Sequence, residues 1–374
     1  MIYSRFKDTS ISMLAMGGMR FPTHPDGSIN MEETQKLFDL CIERGVNYFD
    51  TAWFYHNGMS EEAVGKILRR YPRDSYYLAT KMPWYDFEGE AGMRVLFEKQ
   101  FERTGVEYFD FYLIHNVSDM TYPVYTDDTL RIPEFLHEQH KKGRFRHFGF
   151  STHASNPTLK KFLDTYGEMF EFCQMQLNWL DWTLQDAKGK VALLKEYGLP
   201  IWVMEPLRGG RLTSLTPEDE AILKAFRPDE SIGAWAFRFL QSIPEVAVVL
   251  SGMQSSEIIE DNARTFSESK PLSETEWNAL LAIADRMLAK KTLTCTDCKY
   301  CMRECPQSLA IPKLLSIYNN TLLTGTKPDR ARIAKKLGEE GLPTACIGCR
   351  ACEAKCPQEI KISEILADFA KAIQ

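Results

Sequence analysis

Eight of the ten cysteines in this chain fall in two runs with the same spacing. The first is Cys295-Thr-Asp-Cys298-Lys-Tyr-Cys301-Met-Arg-Glu-Cys305-Pro306. The second is Cys346-Ile-Gly-Cys349-Arg-Ala-Cys352-Glu-Ala-Lys-Cys356-Pro357. Thiolates this close together ligate metal. A zinc site, the alternative, takes four thiolates from two C-x2-C pairs and has no use for a third cysteine at the next interval. Spacing of the form C-x2-C-x2-C-x3-C-P instead suits [4Fe–4S] clusters, whose cube takes one thiolate at each iron. The proline after each fourth cysteine turns the chain away and leaves no N–H unpaired. Cys41, in FDLCIERG, and Cys173 read as buried small hydrophobes. A secreted disulfide protein would not leave its larger part almost free of cysteine.

A second set of candidates is scattered through the first half: Asp50, Tyr55, Lys81 and His115. The elements that would gather them are apolar runs alternating with amphipathic ones. Candidate strands are MLAMG (13–17), VNYF (46–49), YYLAT (76–80), FDFYLI (109–114), RHFGF (146–150), FCQMQ (172–176), PIWVM (200–204) and VAVVL (246–250). Between them lie helical stretches such as MEETQKLFDLCIERG, SEEAVGKILRR and TLRIPEFLHEQHKKG. Eight strands alternating with helices over about 250 residues predict a (β/α)8 barrel. A doubly wound sheet would carry G-x-G-x-x-G after its first strand, and Gly17-Gly18-Met19-Arg20 does not match. Barrel chemistry sits beyond the C-terminal ends of the strands. Asp50, Lys81 and His115 are expected just after strands 2, 3 and 4, with Tyr55 in the loop after Asp50. Ser151, Gln176, Glu205 and Ser251 mark the ends of the later strands.

The segments FDTAWFYHNGMSEEAVGKIL, LATKMP, GVEYFDFYLIHN and KKGRFRHFGFSTH resemble the signature segments of the aldo-keto reductase family, in the same order. VMEPLRGG and SGMQSSEIIEDNA resemble its coenzyme-binding segments more loosely. The likeness covers residues 1–265. Residues 290–374 resemble a helical two-cluster ferredoxin, and 266–289 connect the two. The whole chain thus resembles the ferredoxin-fused bacterial members of the family. Its expected class is α/β: a (β/α)8 TIM barrel followed by a mostly helical, ferredoxin-like iron–sulfur domain. In that domain KLLSIYNNTLL and DRARIAKKLGEEG have helical periodicity, and Gly341 and Pro343 predict a helix stop. The ferredoxin likeness implies crossed ligation. One [4Fe–4S] cluster would take Cys295, Cys298, Cys301 and Cys356; the other would take Cys346, Cys349, Cys352 and Cys305.

The reductase likeness implies roles for the first set. Tyr55 would be the general acid in carbonyl reduction and the base in alcohol oxidation. A free tyrosine, with a pKa near ~10, is a poor acid at neutral pH, and a nearby ammonium lowers that value. Lys81 would supply the charge, Asp50 would hold Lys81, and His115 would orient the carbonyl. For the nicotinamide cofactor the likeness points to Ser151, Thr152 and Gln176 at the amide. Met204 stands where the family often has a stacking ring, followed by Glu205, Pro206 and Leu207. Beyond the last strand come Ser251, Gly252, Ser255 and Asn262. GMQSSEIIEDN holds no basic residue for a 2′-phosphate; Arg208, Arg211 and Arg264 are the nearby cations, each also readable as an ordinary surface charge. The choice between NAD and NADP stays open. Trp53, Trp84, Tyr85, Trp179 and Trp182 are candidates for the substrate pocket or for packing.

With 374 residues and a net charge of −6, the chain has no basic balance to suggest a nucleic-acid partner. No apolar stretch approaches the ~20 residues of a membrane span, and the N-terminus lacks a signal-peptide pattern. A cytoplasmic oxidoreductase is expected, acting on a small carbonyl or hydroxy compound. Hydride transfer moves two electrons and a cluster moves one, so an external electron carrier or a flavoprotein is an expected partner. The competing function is an electron-transfer or redox-sensing iron–sulfur protein whose barrel binds a dinucleotide without turnover.

Overall fold

The computed structural model describes residues 1–289, 293, 295–296, 298–324 and 327–373. The opening residues 290–292 of the expected C-terminal domain lie outside these. The chain divides into two compact units. One comprises Met1–Pro206 and Leu223–Trp277, the other Leu207–Ile222 and Asn278–Gln374.

The first unit opens with an antiparallel hairpin, β1 (Tyr3–Phe6) and β2 (Thr9–Ser12). Eight parallel strands then close into a barrel: β3 (Leu14–Gly17), β4 (Tyr48–Asp50), β5 (Tyr77–Met82), β6 (Phe109–Val117), β7 (Phe145–Thr152), β8 (Phe172–Gln176), β9 (Ile201–Met204) and β10 (Val246–Ser251). Parallel strands are covered on both faces, so they read as unbroken apolar runs; all nine residues of β6 are buried. The first crossover helix, α1 (Met31–Glu43), starts where the Asn30 side chain accepts from the Glu33 N–H, and it buries Leu37, Phe38 and Cys41. Cys173 is buried in β8. The crossovers that matter for the site are α2 (Ser60–Leu68) and α3 (Gly89–Thr104).

Two sequence expectations need correction. YSRFKDTSIS, before the first expected strand, forms the hairpin. Its turn uses Lys7 at φ 50°, a conformation no Gly or Asn signalled. Also, five of the eight barrel strands run further toward their carboxyl ends than their apolar runs. Lys81 and Met82 pair with Leu113 and Ile114, and Val117 pairs with Thr152. Lys81, His115 and Ser151 are therefore strand residues rather than loop residues, while Asp50 and Ser251 close their strands. The backbone ladder persists because it does not depend on side-chain polarity.

The hairpin fills the amino-terminal mouth of the barrel. The Phe6 ring lies 5.1 Å from Trp202, 6.0 Å from Phe111 and 6.2 Å from Phe172, centroid to centroid. Chemistry is thereby left to the carboxyl rim.

In the second unit, helices Ile311–Thr324, Arg330–Leu337 and Ile362–Ala372 bury Leu314, Leu315, Ile333, Leu366 and Phe369 in one core. Tyr318 stacks on Phe369 at 4.9 Å. The middle helix stops earlier than Gly341 and Pro343 suggested. Gly338, at φ 81°, returns its N–H to the Ala334 carbonyl at 2.8 Å and ends it there.

Phe6→Ala empties the plug and should lower barrel stability by about 3–5 kcal/mol, read as a lower urea midpoint of the barrel transition. A change within about 0.5 kcal/mol, typical of surface positions, would contradict the plug.

Candidate active site and cysteine pockets

β4, its following loop, β5 and β6 bring Asp50, Tyr55, Lys81 and His115 together at the carboxyl rim. Asp50 and His115 are each 3% exposed, Lys81 0% and Tyr55 8%. Lys81 Nζ donates to Asp50 Oδ1 at 2.5 Å and to the Thr51 carbonyl at 2.8 Å. The same ammonium lies 5.0 Å from the centre of the Tyr55 ring. The His115 ring meets Tyr55 edge-on at 5.9 Å.

Burial governs the electrostatics. It pushes the Asp50 carboxyl up and the Lys81 ammonium down, and their mutual contact pulls each back. His115 is held well below the ordinary histidine value, first by burial and then by the Lys81 charge. Its imidazole is therefore neutral at neutral pH and can donate a hydrogen bond without adding a second cation. Asp50 Oδ2 and His115 Nδ1 carry no hydrogen bond among the described residues.

Sequence reasoning missed Phe54, which stacks on His115 at 4.7 Å and 8°. No periodicity marks a loop aromatic. Tyr85 stacks on Phe54 at 5.3 Å, and Trp84 meets His115 at 5.8 Å. Phe54 and Trp84 wall the histidine, and Tyr85 packs against both of them. Trp179 is 1% exposed, and Trp182 packs on Phe239 and Trp277, so packing accounts for both. The Tyr55 loop carries His56 at φ 52° and Asn57 at φ 55°, each costing about 1–3 kcal/mol. His56 is braced by accepting the Phe21 N–H at Nε2, 3.0 Å, and by stacking on the Phe21 ring at 5.3 Å.

Ser151, Thr152, Gln176, Ser251 and Asn262 are all buried. Ser151 Oγ accepts from the Asn116 N–H at 2.8 Å. The Thr152 hydroxyl donates to the Val117 carbonyl and accepts from the Ala154 N–H, both at 3.0 Å, so its one proton is already engaged. Gln176 donates to Asp181, and Asn262 donates to the Ser251 hydroxyl. Ser255 caps the helix Ser256–Thr265. Met204 and Glu205 are half-buried beside buried Pro206, with Glu205 at φ 55°. A further cation, Arg20, lies just past the end of β3, and nothing in its own segment marked it as part of the site. It lies 3.5 Å from Glu205 and so close to Gly252 that a side chain there would fall within 2.9 Å of it. A cation beside small, glycine-lined backbone at the ends of β9 and β10 is where barrels hold phosphate, and it fits a dinucleotide.

Arg264 is exposed and pairs with Asp261. Leu207, Arg208 and Arg211 belong to the second unit. There Arg208, almost fully buried, donates to Gln358 at 2.9 Å, and Arg211 donates to the carbonyls of Leu293 and Cys295.

The second unit gathers the cysteines in two pockets. Cys295, Cys298, Cys301 and Cys356 line one, with Pro312, Leu315, Ile360 and Ile362. Cys305, Cys346, Cys349 and Cys352 line the other, with Leu309, Ile311 and Leu366. The two runs are conformational repeats. Lys299 and Arg350, each following a second cysteine, have φ 67° and 62°; Ser308 and Glu359, each three residues past a fourth cysteine, both have φ 51°. Among the described residues, neither pocket is lined by a carboxylate, and no three His, Cys, Asp or Glu close on one point. Each set of thiols surrounds a space, a donor arrangement that fits a cubane.

Residues 13–285 match the model of the aldo/keto reductase family, and residues 294–360 match a 4Fe-4S dicluster domain. The chain belongs to the aldo/keto reductase family. It is 24% identical over 307 residues to the uncharacterized oxidoreductase YqkF of Bacillus subtilis, covering 73% of this chain and 92% of that protein. It is 24% identical over 232 residues to the NADH-specific methylglyoxal reductase of Escherichia coli, covering 57% of this chain and 68% of the relative. Among solved structures, an aldo-keto reductase from Klebsiella pneumoniae in complex with NADPH superposes with a TM-score of 0.59 at 20% identity. That match covers 77% of this chain and 95% of the other, a likeness of fold.

Two outcomes follow. Lys81→Met strands the Asp50 carboxylate and should cost about 3–5 kcal/mol; the double variant with Asp50→Asn should recover part of it in denaturant titrations, and strict additivity would contradict the pairing. In pH–rate profiles of a carbonyl reduction, no inflection should appear near the ordinary histidine value of about 6.5, because His115 titrates well below it. An inflection there that disappears in His115→Gln would contradict a neutral imidazole.

Proposed function

We propose that the barrel interconverts a small carbonyl compound and its alcohol using NADP or NAD, and that the C-terminal domain, residues 290–374, holds two [4Fe–4S] clusters for electron transfer. The observation that carries the first part is the buried Asp50–Lys81 pair directed at the Tyr55 ring. When bound, the nicotinamide supplies or accepts the hydride. Tyr55 gives its hydroxyl proton to the carbonyl oxygen in reduction and takes it back in oxidation. Lys81 stabilises the phenolate left behind, Asp50 holds Lys81 in place, and neutral His115 donates a hydrogen bond that orients the carbonyl. Such proton transfer is worth about 10²–10⁴ in rate. The rings of Phe54, Trp84 and Tyr85 shield the reacting carbonyl from water.

For the coenzyme, Ser151, Thr152, Gln176, Met204, Glu205, Pro206, Ser251, Gly252, Ser255 and Asn262 are the binding residues of this reading, with Arg20 the cation beside Glu205 and Gly252. Relatives support either nicotinamide: one is named as NADH-specific, and one solved structure holds NADPH. For the clusters, Cys295, Cys298, Cys301 and Cys356 form one ligand set and Cys346, Cys349, Cys352 and Cys305 the other. Thiolate ligands of this kind suit the reducing cytoplasm. Among the described residues no helix is long and apolar enough to cross a membrane. A flavoprotein or other carrier outside the chain would convert between the one- and two-electron steps.

Anaerobic titration with NADPH and then NADH, followed by absorption and electron paramagnetic resonance, tests this reading. The protein should carry about eight irons and should bind one nicotinamide while its clusters stay oxidised until dithionite or a flavoprotein is added. Zinc in place of iron, or binding of neither nicotinamide, would contradict it.

A further inference from the structure

Asp50, Lys81 and His115 sit on strands, but Tyr55 does not. It rides on residues 53–58, where His56, Asn57 and Gly58 take consecutive positive φ values of 52°, 55° and 89°. A loop with that much strain keeps one shape only if its surroundings dictate it. The His56–Phe21 contacts brace one side. The other side is braced by a buried charged network that the proton-transfer scheme does not use.

Its centre is Glu61 on α2, 0% exposed. Glu61 Oε1 accepts from Thr80 Oγ1 at 2.7 Å and from Gln100 Nε2 at 2.6 Å. Gln100, on α3, also donates to the Lys81 carbonyl at 3.1 Å. The carboxylate is thus fastened to the strand that carries Lys81, at Thr80 directly and at Lys81 through Gln100. Glu61 Oε2 lies 3.3 Å from Arg103 Nη1, one turn further along α3. The Arg103 guanidinium covers the Trp53 ring at 4.0 Å from its centroid. It also lies against Gly58, where a Cβ would come within 3.0 Å of Nη2. Trp53 is pinned at its far edge by its Nε1 donating to Asp86 at 3.1 Å. Arg103 therefore touches both ends of the strained loop, and the carboxylate that holds Arg103 also holds the Lys81 strand.

We propose that Glu61 and Arg103 are positioning residues for the reaction. Arg103 clamps the Tyr55 loop at Trp53 and Gly58, and Glu61 registers that clamp against the strand bearing Lys81, fixing the separation of Tyr55 from Lys81. This inference rests on the carbonyl-reductase reading of Tyr55. Fork geometry and ring stacking belong to a guanidinium and not to an ammonium, so lysine can replace Arg103 only in part. A plain structural ion pair would instead affect stability throughout the barrel.

The test uses the full-length, cluster-loaded protein with Arg103→Met, Arg103→Lys, Glu61→Gln and Trp53→Leu. Trp53→Leu removes the stack while leaving the Glu61–Arg103 pair, and so covers the case in which Glu61→Gln fails to fold. Amide exchange, read by mass spectrometry without coenzyme, should rise in residues 53–58 of Arg103→Met while β4, β5 and β6 keep wild-type protection. With NADPH and 4-nitrobenzaldehyde as the probe pair, kcat should fall about tenfold to a hundredfold, and the NADPH Kd should stay within about twofold. Arg103→Lys should recover part of the kcat. Wild-type exchange in 53–58, or exchange rising throughout the barrel together with a weakened NADPH Kd, would overturn the proposal. If the wild-type protein reduces no carbonyl, the functional reading fails, and the exchange measurement still decides whether Arg103 holds the loop.

Discussion

A lysine and an aspartate face each other at 2.5 Å in an almost fully buried rim, and the arrangement of the barrel answers to that pair. Neither ion tolerates burial alone. Each needs the other, and Lys81 also needs the Thr51 carbonyl. Those partners come from the end of β4 and from β5, adjacent strands whose register is set by the parallel ladder. A ladder is stiff where a loop is not, so the charge stays within reach of Tyr55. The hairpin plug serves the same end by filling the opposite mouth with aromatic rings. The penalty of burying two charges stands against stability; what the chain gains is a fixed cation beside a phenol.

The second unit meets a different constraint. Eight thiols must be distributed around two spaces by a short, mostly helical chain. The solution is repetition: both cysteine runs use left-handed residues at matching positions, so each fourth cysteine leaves its own run and faces the pocket of the other. The segment after β9 contributes as well, since Arg208 and Arg211 bind side-chain and backbone oxygens of this unit. Arg208 and Arg211, readable in the sequence as cations near the coenzyme segment or as surface charges, hold these bonds within the second unit.

Much of this was legible in the sequence because it rests on local rules. Apolar runs gave eight strands, and the ferredoxin likeness of the cysteine runs gave the two groups of four cysteines that line the two pockets. What escaped had no local signal. The β1–β2 hairpin turns at a lysine. Strands such as β5, β6 and β7 outrun their hydrophobic stretches because backbone pairing ignores side-chain type, which moved Lys81, His115 and Ser151 from loops into strands. Phe54, Arg20, Glu61 and Arg103 matter through contacts made across the fold, and each looks ordinary in its own segment. The bonds of the Thr152 hydroxyl to Val117 and Ala154 likewise have no signal in the sequence.

On the proposed reading, a buried ion pair that aims one charge at a phenol beside a neutral imidazole serves to move a proton as a hydride moves. The most direct measurement is the single-turnover rate of NADPH oxidation by 4-nitrobenzaldehyde in the wild-type protein, Tyr55→Phe and Asp50→Asn, with coenzyme bound beforehand in each. The account predicts a loss of about 10²–10⁴ in that rate for Tyr55→Phe and a clear loss for Asp50→Asn, with NADPH still bound. Wild-type rates in both variants would contradict it, leaving the barrel a dinucleotide-binding scaffold without this chemistry.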